Sequence, residues 1–221
     1  MMDKSPIKIY LVDDQAMLRA AFKSLLAKDP RYQVVGDVGD AREAIANVGK
    51  VRPDVILLDI TMPGLSGLDA IAPLRQELSS VRILMLTHHE GESFVQQAMK
   101  AGADGYLSKD SDPEELAIAL DAVARGRPYL SPKVAGGLVA MARGSGTEIS
   151  QAPSRIGSLT AREREVFQLL ALGKSNKDVA RELHLSIGTA KKHRENLQRK
   201  LDCHSAAELA RLAISEGLLR I

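Results

Sequence analysis

Five side chains in the amino-terminal half combine carboxylate, hydroxyl and ammonium chemistry, and each one follows a predicted strand. They are Asp13, Asp14, Asp59, Thr87 and Lys109. In an open α/β sheet, ligands bind where the carboxyl ends of the strands meet. We therefore expect these five side chains to converge at one edge of a sheet.

The three acids of this group predict a magnesium site. Carboxylates at one rim repel each other unless a hard cation joins them, and Mg²⁺ prefers oxygen ligands. With that charge balanced, one carboxylate can attack a phosphoryl group while cation, lysine and hydroxyl neutralise the transferred oxygens. Asp59 is the predicted nucleophile because it stands alone at the end of a buried strand. The alternative is that Asp13 and Asp14 are only capping or turn residues.

Apolar runs alternate with helix-length amphipathic segments through residues 1–126, and this alternation predicts the elements that position the five side chains. The predicted strands are Ile7–Val12, Gln33–Val38, Val55–Leu58, Arg82–Leu86 and Gly105–Leu107. The predicted helices are Ala16–Lys28, Ala41–Val51, Leu68–Leu78, Ser93–Lys100 and Pro113–Arg125. The pattern indicates a doubly wound, five-stranded parallel α/β sheet.

The rest of the chain has a different organisation. Residues 127–157 are rich in glycine and proline around one apolar stretch, Val134–Met141, and are predicted to be a linker with a short helix. Residues 158–221 show only helical patterns and predict a small all-α domain. Its predicted helices are Thr160–Leu172, Asn176–Leu183, Ile187–Leu201 and Ser205–Ile214.

Composition limits the classes of protein to which the chain can belong. Its 221 residues are 45% hydrophobic and 26% charged, as in a folded chain of one or two domains. The longest run without Asp, Glu, Lys or Arg is nine residues, against the roughly 20 that a membrane-spanning helix needs. A single cysteine, Cys203, excludes an internal disulfide and a cysteine zinc cluster. We expect a cytoplasmic protein without a membrane partner.

The charge of the chain is divided unevenly. Residues 1–126 hold 14 Lys and Arg against 19 Asp and Glu, a net charge of −5, and residues 127–221 hold 16 against 9, a net charge of +7. The basic half favours a polyanionic partner, although a solvated surface could have the same charge.

One predicted helix carries much of this positive charge. Ile187–Leu201 contains five Lys and Arg against Glu195 alone. Helical spacing places Lys192, Asn196 and Arg199 on one side, opposite the apolar Leu197 and Leu201. A short predicted helix and a tight connection ending in the capping candidate Ser186 come directly before it. Two helices joined in this way predict a helix-turn-helix whose second helix enters the major groove.

The amino-terminal motifs resemble the receiver domain of two-component response regulators over residues 5–126. The motifs are LVDD at 11–14, LLDITMPG at 57–64, LMLT at 84–87 and GYLSK at 105–109. The resemblance implies a flavodoxin-like fold in which Asp59 accepts phosphate from a phosphohistidine of a sensor histidine kinase. It also implies that Asp13, Asp14, Asp59 and the main-chain carbonyl of Thr61 hold Mg²⁺, that Thr87 and Lys109 bind the phosphoryl oxygens, and that Tyr106 is a switch residue.

The carboxy-terminal motifs resemble the LuxR-type helix-turn-helix of NarL/FixJ-type regulators over residues 158–217. The motifs are LTAREREV at 159–166, GKSNKDVA at 173–180 and LSIGTAKKH at 185–193. The resemblance implies promoter DNA as a partner, a homodimer on phosphorylation or on DNA, and RNA polymerase as a candidate partner. The predicted DNA-binding residues, from resemblance and geometry together, are Lys177, Thr189, Lys191, Lys192, His193, Asn196, Arg199 and Lys200.

Two other functions fit the sequence less well than a phosphorylation-dependent transcription regulator. A haloacid-dehalogenase-type phosphohydrolase uses a second aspartate two residues after its nucleophile, but Thr61 occupies that position. A small-molecule sensor joined to the same DNA-binding domain needs an apolar pocket, usually an aromatic one, and the chain has no Trp and 3% aromatic residues. The expected protein therefore receives a phosphoryl group without being a turnover enzyme.

Overall fold

The computed structural model describes residues 5–88, 92–136 and 159–215. The chain divides into two compact units, Met1–Thr147 and Glu148–Ile221, named unit 1 and unit 2 below. The predicted domain boundaries at residues 126 and 158 stay a prediction.

Unit 1 contains a parallel sheet with strand order β2-β1-β3-β4-β5-β6. The strands are β1 Ile7–Val12, β2 Tyr32–Val38, β3 Val55–Leu58, β4 Arg82–Thr87, β5 Gly105–Ser108 and β6 Tyr129–Leu130. The helices are α1 Ala16–Leu26, α2 Ala41–Val51, α3 Gly67–Glu77, α4 Glu92–Ala101 and α5 Pro113–Ala124. Because neighbouring strands are joined through helices, they pair in parallel. The predicted doubly wound parallel α/β fold is confirmed.

The two faces of this sheet have separate cores, as expected when helices cover both. Tyr10 and Ile56 contribute to the face covered by α2, α3 and α4. Ile9 and Leu57 contribute to the face covered by α1 and α5. Successive side chains of a strand point to opposite faces, so a strand between two helical layers is apolar at every position. The four residues of β3 are accordingly all buried.

The sheet has one strand more than the five that were predicted. β6 consists of Tyr129 and Leu130, inside the predicted linker, and pairs with Gly105 and Tyr106 of β5. A strand of two residues is too short to show the alternation of apolar and polar residues that marks a strand in the sequence. β6 forms because its main chain pairs with the edge of β5. The linker helix was predicted over residues 134–141. Residues 132–136 are helical, so the helix begins two residues before the predicted start, and residues 137–141 lie outside the described residues.

Unit 2 is helical throughout its described part, as predicted. Its helices are α6 Ala161–Ala171, α7 Asn176–Glu182, α8 Ile187–Leu201 and α9 Ala206–Ser215. Val166 and Phe167 of α6 pack with Leu197 and Leu201 of α8 in a core to which α7 and α9 also contribute. Among the described residues, no helix is both long and apolar enough to span a membrane.

Serine and threonine side chains begin three of these helices. Thr160 forms a capping box with Glu163 at α6, and Ser175 forms another with Asp178 at α7. The Ser186 hydroxyl accepts a hydrogen bond of 3.0 Å from the Thr189 amide, so the predicted cap of α8 is confirmed. These caps satisfy amide groups that the first turn of a helix leaves without a partner.

Candidate functional site

The first site lies at the carboxyl ends of β1, β3, β4 and β5. The chain passes from β1 to β2 on one side and then to β3 on the other, which opens a crevice between the β1 and β3 ends. Main-chain hydrogen bonds fix the residues that follow these strands. The Asp59 amide donates to the Val12 carbonyl at 2.9 Å, and the Lys109 amide donates to the Thr87 carbonyl at 2.9 Å.

Three carboxylates meet in this crevice, as predicted. Asp13, Asp14 and Asp59 each have an oxygen within 4.8 Å of the others. Asp13 and Asp59 are buried, with 6% and 1% of their surface exposed, whereas Asp14 is exposed. The cluster thus has two fixed inner oxygen donors and one that faces solvent.

The ammonium group of Lys109 lies between the two buried carboxylates. Its Nζ atom is 2.5 Å from Asp13 Oδ2 and 2.7 Å from Asp59 Oδ2, and its side chain is fully buried. Three carboxylates against one ammonium leave an uncompensated charge of about −2, and a divalent cation would balance it. The oxygen donors present therefore fit a hard ion such as Mg²⁺.

The other predicted residues of this site belong to the same strand ends or their loops. Thr87 and Tyr106 are fully buried, Thr87 as the last residue of β4 and Tyr106 within β5 opposite Met85. Thr61 is half-buried in the loop that follows Asp59. The buried position of Tyr106 means that any rotation of its ring toward solvent requires neighbouring side chains to move.

Two contacts that the sequence did not predict, one from Arg19 and one from Gly67, hold the site in place. Arg19 of α1 donates from Nη1 to the Asp13 carbonyl at 2.5 Å and from Nε to Asp37 at 3.1 Å. Lys23 also pairs with Asp37, and these two cations hold the pKa of the Asp37 carboxyl below its usual range. Gly67 lies against the Asp59 main chain, where a Cβ atom would be 1.9 Å from the Asp59 carbonyl oxygen. Nothing in the local sequence pattern points to either contact.

The second site is the outer surface of α8 in unit 2. The connection between α7 and α8 is a tight turn in which His184 has a φ of 52° and the Leu185 amide donates to the Ala180 carbonyl at 2.8 Å. Ala190, Leu197 and Leu201 fasten α8 to the core. The geometry is that of a helix-turn-helix, with a cationic second helix facing outward.

Most of the predicted DNA-binding residues lie on the surface. Those that are exposed are Lys177, Thr189, Lys191, Lys192, Arg199 and Lys200. His193 and Asn196 are half-buried. Asn196 accepts a hydrogen bond of 3.3 Å from Arg199 Nη2, which orients both side chains.

Lys200 has a partner inside unit 2. Its Nζ atom is 2.7 Å from Oε2 of Glu163, the buried residue of the α6 capping box. Burial by itself would raise the pKa of Glu163, but the Lys200 ammonium and the Thr160 amide hold that pKa below its ordinary value. Lys200 thus joins α8 to the start of α6, in addition to its predicted role on DNA.

Together, the two units define a class of protein: a regulator in which an acidic α/β pocket is joined to a helix-turn-helix. Comparison with known proteins agrees. The family model for the response regulator receiver domain matches residues 9–121, and that for bacterial regulatory proteins of the luxR family matches residues 157–213. The chain belongs to the response regulators with a LuxR-type DNA-binding domain, which are transcription factors and not classical enzymes.

Relatives of this architecture align along almost the whole chain. Transcriptional regulatory protein DegU of Brevibacillus brevis is 35% identical over 99% of this chain and 98% of its own. Nitrate/nitrite response regulator protein NarL of Escherichia coli K12 is 36% identical over 95% of this chain and 96% of its own.

Solved structures have the same fold. The crystal structure of a LuxR-family two-component response regulator from Aurantimonas sp. SI85-9A1 covers 63% of this chain and 99% of its own, at 37% identity and a TM-score of 0.61. RcsB of Salmonella enterica serovar Typhimurium bound to promoter P1flhDC covers 95% of this chain and 98% of its own, at 22% identity and a TM-score of 0.65.

Proposed function

We propose that Asp59 accepts a phosphoryl group from the phosphohistidine of a sensor histidine kinase. In this step the phosphorus–nitrogen bond breaks and a phosphorus–oxygen bond to the Asp59 carboxylate forms. The observation that carries the proposal is the buried Lys109 ammonium, 2.7 Å from Asp59 and 2.5 Å from Asp13. A fixed cation beside the nucleophile neutralises charge on the transferred oxygens without having to reorganise. The same chemistry allows phosphorylation by a small phosphodonor and slow self-dephosphorylation.

We also propose that Mg²⁺ is the cofactor of this transfer. Asp13, Asp14, Asp59 and the main-chain carbonyl of Thr61 would hold it, in line with the clustered carboxylate oxygens. When bound, the ion supplies positive charge that lets the anionic carboxylate and the anionic phosphoryl group approach each other. Arg19 holds the Asp13 main chain in place through its hydrogen bond to the Asp13 carbonyl.

Phosphorylation would then act as a charge-driven switch. A new dianion at Asp59 attracts the Thr87 hydroxyl and the Lys109 ammonium. Because Tyr106 is fully buried in the adjacent β5, movement of Thr87 changes the space available to its ring. The surface formed by α4, β5 and α5 would repack and favour a homodimer. Support for this step comes from the shared main-chain contact of Thr87 and Lys109.

In the output step, we propose that α8 enters the major groove of promoter DNA. The predicted DNA-binding residues would contact phosphates and base edges, Lys192 and Asn196 being the better candidates for bases. RcsB structures include complexes with DNA, and RcsB shares this fold. RNA polymerase stays a candidate partner of the DNA-bound dimer.

Phosphate incorporation tests the first step. Full-length protein incubated with radiolabelled acetyl phosphate and Mg²⁺ should gain one label, and Asp59→Asn should gain none. Asp54→Asn is the matched control, since Asp54 precedes the same strand at its opposite end, where its carboxylate accepts a hydrogen bond from the Lys8 amide. Continued labelling of Asp59→Asn would show that the acceptor lies elsewhere.

Association and DNA binding test the second step. Sedimentation of the full chain with and without acetyl phosphate should show a shift toward dimer, accompanied by tighter binding to DNA selected from a random pool. Lys192→Ala should weaken binding and, if Lys192 contacts a phosphate, lower the slope of log affinity against log salt by about 0.9. If the protein takes up phosphate but keeps the same oligomeric state and the same affinity for DNA, phosphorylation of the pocket does not control DNA binding.

A further inference from the structure

The outermost strip of α8 contains an acid at its centre. Ala190, Leu197 and Leu201 are at most 1% exposed and define the buried side of the helix. Opposite them, in steps of four, three and four residues, lie Gly188, Lys192, Glu195 and Arg199, and all four are exposed. We call these four residues the outer strip. Glu195 therefore faces away from the core at the middle of the helix, between two cations.

Glu195 contributes little to the fold. Its one ion pair in the described structure is with Lys191, at 4.0 Å between Nζ and Oε1, and the side chains are 68% exposed for Lys191 and 58% for Glu195. An exposed pair at this distance adds little stability. By contrast, Lys200 and the buried Glu163 are 2.7 Å apart and tie two helices together. The contacts of Glu195 within unit 2 therefore do not explain why an acid occupies this position.

Its charge also argues against contact with the DNA backbone. Lys192 and Arg199 can bind phosphates, but a carboxylate on the same strip repels them. Glu195 is compatible with a bound duplex where it meets a hydrogen-bond donor. Along the floor of the major groove the donors are the amino groups of cytosine and adenine, and the adenine amino group stands beside the N7 acceptor, which repels a carboxylate.

We infer that Glu195 is a specificity-determining residue that reads a cytosine, its carboxylate accepting a hydrogen bond from the cytosine N4 amino group. The inference rests on the proposed function, because it requires α8 to lie in the major groove. The neighbouring Lys192 and Arg199 would bind phosphate or guanine on either side and offset the repulsion of the carboxylate. The ligand is therefore a double-stranded site with a C·G pair at one position of each half-site.

Selection of DNA from a random pool, with the full chain, tests the inference. The wild-type protein should select a site with an invariant cytosine, and replacing that C·G pair by T·A should weaken binding about 5-fold to 100-fold. Glu195→Ala should bind the C·G site and the T·A site with affinities within about twofold of each other. In Glu195→Gln the preference should move toward adenine, since an amide pairs with the adenine amino group and N7.

Glu182→Gln is the matched control, because Glu182, the last residue of α7, is another acid of unit 2 and pairs with Lys174 at 3.0 Å. It removes the same charge and should keep the cytosine preference. If Glu195→Gln binds every sequence more tightly by one factor and selects the same site, Glu195 sets only the charge of the helix and the inference is wrong. If the wild-type chain selects no sequence at all, the proposed function fails first, so the two failures are distinguishable.

Discussion

Replacing Gly67 by alanine should damage both the stability and the chemistry of unit 1. Gly67 is the buried first residue of α3, and its amide donates to the Ile60 carbonyl at 2.9 Å. An added Cβ atom would lie 1.9 Å from the Asp59 carbonyl oxygen and 2.8 Å from the Asp59 carbonyl carbon. The atoms in the way are main-chain atoms, so no side-chain rotation can relieve the contact.

The size of the effect follows from this distance. The end of β3 and the start of α3 must separate by more than an ångström to restore an ordinary contact. Overpacking of this kind costs about 1–3 kcal/mol, and a main-chain obstacle puts Gly67→Ala at or above the upper value. The same shift moves the Asp59 carboxylate relative to Lys109. A displacement of about 1 Å at a reacting group can slow a reaction about a hundredfold.

Tyrosine fluorescence during urea unfolding measures the stability of unit 1 separately. The chain has no Trp, and its four tyrosines, Tyr10, Tyr32, Tyr106 and Tyr129, all lie in unit 1. With a slope of about 1–3 kcal/mol per molar urea, a loss of about 3 kcal/mol lowers the midpoint by roughly 1–3 M. Labelling by acetyl phosphate measures the chemistry on the same samples.

Gly49→Ala is the matched control. Gly49 is exposed within α2, and a Cβ atom there would be 4.0 Å from the Glu77 carbonyl oxygen. Alanine should stabilise this helix by about 0.5–1 kcal/mol and leave labelling unchanged. If Gly67→Ala unfolds at the wild-type urea concentration and is labelled at the wild-type rate, the close approach of α3 to Asp59 does not position the nucleophile.

Three further predictions concern pH and the α8 surface. Burial and a nearby carboxylate raise the pKa of Tyr32 and of Tyr129 to about 12, so absorbance of the native protein should show these phenols ionising late. Their contribution to stability is complete below the unfolded pKa of about 10 and is lost as pH rises through 12. The lowered pKa of Glu163 has the opposite effect on the pH dependence of stability. The contribution of Glu163 to stability is present above about pH 4.3 and is lost as pH falls through its lower native pKa. Lys200→Met should reduce that acid dependence in far-UV circular dichroism, at a cost of about 1–3 kcal/mol because the buried Glu163 carboxylate loses its charged partner. Gly188→Ala should raise the stability of unit 2 by about 1 kcal/mol and weaken DNA binding. A Cβ atom there would make an ordinary contact of 3.8 Å with the Ser186 hydroxyl oxygen, but it would project from the outer strip.

Each of these three predictions has a contradicting result. Ionisation of all four phenols near pH 10 would mean that the buried tyrosines are open to solvent. If Lys200→Met unfolds in acid at the same pH as the wild-type protein, the Lys200–Glu163 pair does not cause the acid dependence. If Gly188→Ala raises both stability and DNA affinity, the start of α8 does not approach the duplex closely.

The sequence by itself determined the elements of the fold and the chemistry of the pocket. Apolar runs mark the strands, and helical periodicity marks the helices, because each element must bury its own apolar face. Since parallel strands share one carboxyl edge, the acids after β1 and β3 had to lie near Lys109. The basic character of α8 and the cap at Ser186 could also be predicted, because both depend on residues that are close in the sequence.

The tertiary structure decided the contacts between segments distant in sequence. It placed the Lys109 ammonium between two carboxylates, the Arg19 guanidinium on the Asp13 carbonyl and the Lys200 ammonium on Glu163. It also paired β6 with β5, although two residues carry no periodic signal. Local patterns record which face of an element is buried, but not which atom of another element lies across from it. The packing of each core determines which atoms meet. For this reason the sequence shows that Lys200 is a basic residue of α8, but only the tertiary structure shows that it joins α8 to α6.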